Sequence, residues 1–343
     1  MSKQKNIVSF DRYDQPNSSM MGISYYVYGG CKFNCDYCFL VGYNRSDEWR
    51  NRAAPRGFKK QPSLDTNKTI VDTLFQIKHE FFIYLYGGEP TEYQHLHELV
   101  EYINNKKSDT FSHIEIQSNL NTTTLDLERL IRSKDVYISP TLHLGHLKKD
   151  TIYDLVDKID LIYSHNRLER VDFIMSLVKE KEVRELHDIL KAKPYFNKVM
   201  YTRNFLEINT GAGGLNEFKN DKDVYTGRFN TGDVFKDICE QSIYKEQYIV
   251  RFDDGSEEVY DINDLYTHGE MMNFKGWLCE AGKKLMLVDY TGDWWICDNE
   301  YLKSEPGGNL IDSPSKFLLN TRIPHVCKLD KCDGCFFIDR KKI

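Results

Sequence analysis

From Ile23 onward the chain alternates short runs of β-branched and aromatic residues with longer stretches whose apolar positions recur every three or four residues. The short runs, at 23–28, 81–86, 113–117, 136–142, 171–178 and 197–207, predict strands. Between them, 66–80 sets Ile70, Leu74 and Ile77 on one helical face, and 148–165 does the same with Ile152, Leu155, Val156 and Ile159. Such alternation predicts an α/β fold with a parallel sheet and crossover helices. Six units in about 190 residues fit a partial (β/α)6 barrel, TIM-like but open, over residues 22–210 better than a full eightfold one. Residues 1–21 are polar and read as a short extension. After residue 210 the rhythm stops. Residues 247–252 and 256–262 predict a β-hairpin turning at Asp253-Asp254-Gly255, within a connector spanning 211–275. A small cysteine-rich domain is expected over 276–343.

With 343 residues, the chain is long enough for one large domain and a small one. No run of eighteen apolar residues occurs and the first residues are polar, so no membrane span or secretory signal is indicated. A reducing, cytoplasmic setting is the expectation, and nine cysteines then read as metal ligands and thiols rather than as a disulfide frame. The formal net charge of −6 gives no overall polycationic character for nucleic acid, which stays open as a partner without being indicated.

Cysteines change the picture most. Cys31, Cys35 and Cys38 fall in one short loop as C-x3-C-x2-C, with Tyr37 just before the last of them. Three thiolates can hold three corners of an iron–sulfur cube and leave one iron open, whereas an electron-transfer cluster normally has four. A zinc knuckle is the alternative, because C-x2-C pairs also clamp zinc. About fifty residues on, a strand-forming run ends in Tyr86-Gly87-Gly88-Glu89-Pro90. Paired glycines at a strand end permit close approach to the backbone, and a carboxylate beside them accepts hydrogen bonds from an ammonium group. Taken alone, the same residues read as a strand-to-helix turn with Pro90 opening a helix.

Together the two motifs resemble the radical SAM superfamily, whose signature is C-x3-C-x-aromatic-C followed by Gly-Gly-Glu-Pro. The resemblance implies a 4Fe–4S cluster on Cys31, Cys35 and Cys38, S-adenosylmethionine (AdoMet) on its open iron, and contacts to AdoMet from Tyr37, Gly87, Gly88 and Glu89. It also implies an open barrel with its site at the strand ends. Strand ends nominate Ser118 and Asn119, Thr141 and His143, and Asn209 and Thr210. Ser118 and Asn119 match the place where members contact the AdoMet ribose or carboxylate. Asn119 also reads as a turn or cap residue before the helix expected near Thr124. His143 and His146 are either hydrogen-bonded histidines near the mouth or acid–base groups. The basic stretch 45–60, with Arg45, Arg50, Arg52, Arg56, Lys59 and Lys60, reads as a solvated loop or as a clamp for an anionic or phosphorylated group on substrate.

Five further cysteines lie near the C-terminus: Cys279, Cys297, Cys327, Cys332 and Cys335. The turn Asp289-Tyr290-Thr291-Gly292 lies between two β-like runs, so a hairpin can bring Cys279 and Cys297 together, and Cys332-Asp-Gly-Cys335 offers a second clamp. This layout resembles the twitch domain, the short form of the SPASM extension. The resemblance implies an auxiliary iron–sulfur cluster on Cys279, Cys297, Cys332 and Cys335, with Cys327 as spare or substitute and zinc as the alternative metal. Cys239 stands alone, as a buried small hydrophobe or as a thiol hydrogen-atom donor.

The implied activity is reductive cleavage of AdoMet and hydrogen abstraction from a C–H bond, leading to epimerisation or oxidation. The implied substrate is a sugar, a nucleoside or modified base, or a peptide, and the implied electron donor is a flavodoxin or ferredoxin. A non-catalytic zinc or iron–sulfur redox sensor or scaffold is the rival reading.

Overall fold

A computed structural model describes residues 6–12, 20–33, 61–106, 108–143, 151–175, 179–203, 235–241, 247–261, 274–297, 300–301, 304–329 and 339–343. Cys35, Tyr37, Cys38, the stretch 45–60, His146, Asn209, Thr210, Cys332 and Cys335 lie outside the described residues, and at Cys239 only the backbone is described.

Strand β1 (Ile7–Arg12) was not expected; the strands expected from the sequence form as β2 (Met21–Tyr28), β3 (Phe81–Gly87), β4 (Phe111–Ser118), β5 (Val136–His143), β6 (Val171–Met175) and β7 (Val199–Arg203). The helices α1 (Leu64–Leu74), α2 (Leu96–Asn104), α3 (Thr124–Ile131), α4 (Thr151–Ser164) and α5 (Glu180–Lys191) alternate with β2 to β7. Helix α1 opens on Ser63, whose hydroxyl accepts from the Thr66 N–H. It stops at Leu74, earlier than its apolar period suggests. Gln76 and Ile77 instead bond back three residues, which tightens the turn and still delivers Ile77 to the core.

Neighbouring strands β2 to β7 pair in parallel and in sequence order. Side chains alternate across each strand. One set, including Ile23, Tyr25, Ile83, Leu85, Ile114, Ile116, Val136 and Ile138, packs with Ile70, Leu74, Leu99, Leu127, Ile159 and Leu186 of the helices in one buried core. The other set faces the concave side.

The chain ends depart from expectation. A third group of elements follows α6 (Lys236–Gln241): β8 (Gln247–Phe252), β9 (Glu257–Asp261), β10 (Trp277–Cys279), β11 (Leu285–Asp289), β12 (Asp293–Trp295), β13 (Gly308–Asn309), α7 (Pro314–Asn320), β14 (His325–Val326) and β15 (Arg340–Lys342). The hairpin at Asp253-Asp254-Gly255 forms. Strand β11 pairs in parallel with β2, so β11, β12 and β13 extend the barrel sheet to nine strands, and the sheet stays open. The remaining strands make an antiparallel sheet in the order β14-β10-β15-β1-β8-β9. Residues 7–12, read as part of a polar extension, therefore supply a strand between β15 and β8. Among the described side chains of that strand only Ser9 and Phe10 are buried, too short a pattern for periodicity to reveal.

Candidate active site

Parallel strands β2 to β5 end on one rim of the sheet, and the turns there bring the two sequence motifs together. Glu89 follows β3 and caps a single 3-10 turn, Pro90–Glu92. Its Oε1 accepts from the Thr91 N–H at 3.0 Å, the Thr91 hydroxyl at 2.6 Å and the Ser118 hydroxyl at 2.8 Å. Its Oε2 accepts from the Asn119 N–H at 2.7 Å. The carboxylate is 1% exposed, and burial pushes its pKa upwards while the donors from Thr91, Asn119 and Ser118 pull it down. All four donors are neutral, and among the described residues no Lys, Arg or His pairs with it. A buried carboxylate held this way fits a cationic ligand group, which would supply the missing charge.

The glycines do something the sequence did not indicate. What lies against Gly88 is the chain itself. A Cβ on Gly88 would collide with the Gly30 carbonyl, and Gly87 sits at φ +118° with a would-be Cβ 2.9 Å from the Tyr28 carbonyl oxygen. Gly88 N–H donates to the Tyr28 carbonyl at 3.0 Å and Glu89 N–H to the Gly30 carbonyl at 2.8 Å. The Gly-Gly-Glu turn is thereby bolted to the chain just before Cys31. Lys32 N–H, one residue past Cys31, donates to Glu92 Oε1 at 3.1 Å.

Asn119 closes the rim from the β4 side. Its Oδ1 accepts from the Asn121 N–H at 2.8 Å, and its Nδ2 lies 3.6 Å from Cys31 Sγ. Its expected role as a helix cap falls to Thr123, which accepts from the Asp126 N–H. His143, at the end of β5, packs edge-on against Phe33 at 6.2 Å between centroids, which places it beside the cysteine loop.

Of a polar wall on the concave face, sequence reasoning nominated Thr141 and missed the rest. Tyr84 donates to Gln117 Oε1 at 2.6 Å, and Gln117 Nε2 donates to Thr141 at 2.8 Å and to Asp172 at 3.3 Å. Arg170 forks onto Asp172 at 2.9 and 3.2 Å and reaches the Tyr84 hydroxyl at 3.3 Å. Glu115 accepts from Ser139 at 2.5 Å, and its burial raises its pKa against the opposing pull of Arg170. The signal was present. Strands of a parallel sheet covered on both faces read as continuous apolar runs, whereas His113-Ile-Glu115-Ile-Gln117-Ser118 alternates. Beside this wall, the rings of Tyr26, Trp295 and Tyr301 cluster with Leu287, and Tyr86 packs against them.

The second cysteine set is partly described. Cys279, Cys297 and Cys327 share one buried cluster with Phe10, Tyr248, Val250 and Phe274. Cys279 sits opposite His325 on one side and the buried Arg340 on the other. Cys327 N–H donates to the Trp277 carbonyl, which puts it two positions along from that pair. Among the described residues, no three His, Cys, Asp or Glu converge as a site for a metal ion.

The described strands define a mixed α/β fold whose parallel sheet stays open, with the two sequence motifs meeting at its strand ends. Residues 25–193 match the Radical SAM superfamily model. The family so matched implies a 4Fe–4S cluster and AdoMet. No curated protein matches the chain. Among solved structures, native anSMEcpe with bound AdoMet is similar at 16% identity and a TM-score of 0.54, covering 87% of this chain and 80% of that one. Native anSMEcpe with AdoMet and the Kp18Cys peptide is similar at 16% identity and 0.53, with 88% and 80% covered. Streptococcus suis SuiB bound to S-adenosylmethionine gives 12% and 0.39, with 88% and 66% covered. At these identities the likeness to anSMEcpe is one of fold. Among the described residues no helix is long and apolar enough to cross a membrane.

Proposed function

We propose that this chain is a radical SAM enzyme that holds a 4Fe–4S cluster on Cys31, Cys35 and Cys38, binds AdoMet beside it, and abstracts hydrogen from a C–H bond of a substrate inside the barrel. When bound, cluster and AdoMet supply a 5′-deoxyadenosyl radical by one-electron cleavage of the sulfonium. The observation that carries the reading is the buried Glu89 carboxylate, ringed by neutral donors at the rim where Gly30, Gly88 and Asn119 meet. Its Oε2 accepts one hydrogen bond and keeps a second lone pair for an ammonium. Tyr37, Gly87, Gly88, Ser118 and Asn119 complete the AdoMet site in this reading.

The polar wall of Tyr84, Glu115, Gln117, Thr141, Arg170 and Asp172 supports a hydrogen-bonding substrate: a sugar, a nucleoside or modified base, or a peptide. A peptide gains some support from the anSMEcpe structure that contains one. Cys279, Cys297, Cys332 and Cys335 would hold an auxiliary cluster, a reading supported by the shared burial of Cys279 and Cys297. Two outcomes follow from one abstraction. Hydrogen-atom return from a thiol, for which Cys239 is the candidate, would invert a centre at unchanged substrate oxidation state and leave a thiyl radical, which one electron from the reductant and one proton would return to the thiol. Loss of a proton and one electron from the substrate radical would give oxidation, and a cluster held by Cys279, Cys297, Cys332 and Cys335 would supply the electron acceptor. A flavodoxin or ferredoxin would deliver the first electron.

The test is anaerobic reconstitution followed by reduction with AdoMet. The protein should load about eight irons and release 5′-deoxyadenosine, and Cys38→Ala should abolish the release. Tight zinc at both cysteine sets with no AdoMet cleavage would support a metal-binding scaffold instead.

A further inference from the structure

We infer that Asn119 sets the reduction potential of the cluster at Cys31 by donating a hydrogen bond from its side-chain amide to the Cys31 sulfur. The inference rests on the proposed cluster at Cys31, Cys35 and Cys38. Nδ2 lies 3.6 Å from Sγ, within hydrogen-bond reach of a sulfur acceptor. The orientation of the amide is fixed by its other end. Oδ1 accepts the Asn121 N–H at 2.8 Å, so the NH2 group is the one facing Cys31. Asn119 is 6% exposed, which limits competition from water.

The backbone is held in an unfavourable shape to achieve this. Leu120 sits at φ +57°, the left-handed region that a leucine rarely adopts. Three anchors on three different elements hold it there. Leu120 N–H donates to the Ser118 hydroxyl at 3.0 Å, and Asn119 N–H donates to Glu89. The Leu120 carbonyl accepts from Lys158 on α4 at 3.2 Å, and that ammonium is itself paired with Asp154 at 2.7 Å. Strain that surrounding structure over-determines is retained where it positions a working group. Here the group positioned is an amide aimed at a sulfur. A donor on a ligating sulfur stabilises the added negative charge of the reduced cluster, so it makes reduction easier.

The experiment is an EPR-monitored redox titration of the anaerobically reconstituted full chain, following the signal that AdoMet perturbs in the wild type. It compares wild type, Asn119→Ala and Asn119→Asp before AdoMet is added. At the potential that half-reduces the wild-type cluster, both variants should show at least a threefold lower ratio of reduced to oxidised cluster. The aspartate variant should fall further, because it exchanges the donor for a negative acceptor while keeping the backbone N–H on Glu89. An unchanged ratio in both variants overturns the inference, whatever calorimetry shows for AdoMet, and leaves Asn119 with its AdoMet contact alone. Loss of iron from both variants also overturns it, since a group that only tunes potential leaves assembly intact. If the wild type binds no 4Fe–4S cluster at these cysteines, the cluster reading itself fails, which is a distinct result.

Discussion

Gly88 and Gly30 lie backbone to backbone, with the Glu89 N–H on the Gly30 carbonyl at 2.8 Å and no room for a Cβ between them. Two loops from different strands thus meet at the residue before Cys31. Gly88→Ala should push the loops apart, lower the iron bound at the first site and cost roughly 1–3 kcal/mol of stability, as overpacking does. Iron per chain and thermal unfolding measure both. A variant that loads iron and melts like the wild type would separate the glycine pair from the cluster loop.

Glu89→Gln tests the carboxylate. The amide oxygen can take the Oε1 place, with its three donors, but the NH2 must then face the Asn119 N–H. A donor facing a donor in a buried site leaves one group unsatisfied, at a cost of about 1–3 kcal/mol. AdoMet binding should weaken as well, because a neutral amide is a poorer partner for an ammonium. Calorimetry with AdoMet and a denaturation curve give the two readouts, and unchanged affinity would detach Glu89 from the ligand.

Much of the barrel was legible because each parallel strand shows an apolar set that alternation or continuity reveals, and because helices such as α4 repeat Ile152, Leu155, Val156 and Ile159 on one face. The Gly-Gly-Glu-Pro motif was legible through its resemblance, but the chain-on-chain contact that requires Gly87 and Gly88 was not, because the partner carbonyls of Tyr28 and Gly30 lie far away in sequence. The placement of β11 beside β2 was not, since Leu285-Met-Leu-Val288 reads alike as a strand of either sheet. Nor was the link from Asn119 to Cys31, because a contact across 88 residues leaves no local pattern.

Gln117 is the hub of the polar wall, with Tyr84, Thr141 and Asp172 all bonded to its amide. Gln117→Leu should strand these partners and destabilise the protein by roughly 1–3 kcal/mol. Tyr84→Phe, which removes one hydroxyl, should cost less. Iron loading should survive in both, because neither residue touches the rim that holds Cys31. Urea unfolding and iron analysis would show it, and a Gln117→Leu curve that overlays the wild type would mean water replaces the lost amide.

Asp289, at the end of β11, gives a pH prediction. Its Oδ1 accepts from the Thr291 N–H at 2.9 Å, the Thr291 hydroxyl at 2.6 Å and the Asp293 N–H at 3.1 Å. Burial nevertheless wins and pushes its pKa up to about 7. In the unfolded chain the value is about 3.9. Below about pH 4 the group is protonated in both states and its contribution is fully present. Between about 4 and 7 the unfolded chain gives up its proton while the folded one keeps it, so stability falls as pH rises. The separation of about three units corresponds to a loss of roughly 4 kcal/mol at most. Asp289→Asn keeps an oxygen for the three donors and cannot ionise. Its stability relative to the wild type should therefore rise steadily from pH 4 to pH 7 and level off above it. Urea unfolding at pH 5 and pH 8 reads the difference directly, and parallel pH profiles for the two proteins would show that Asp289 ionises freely in the folded state.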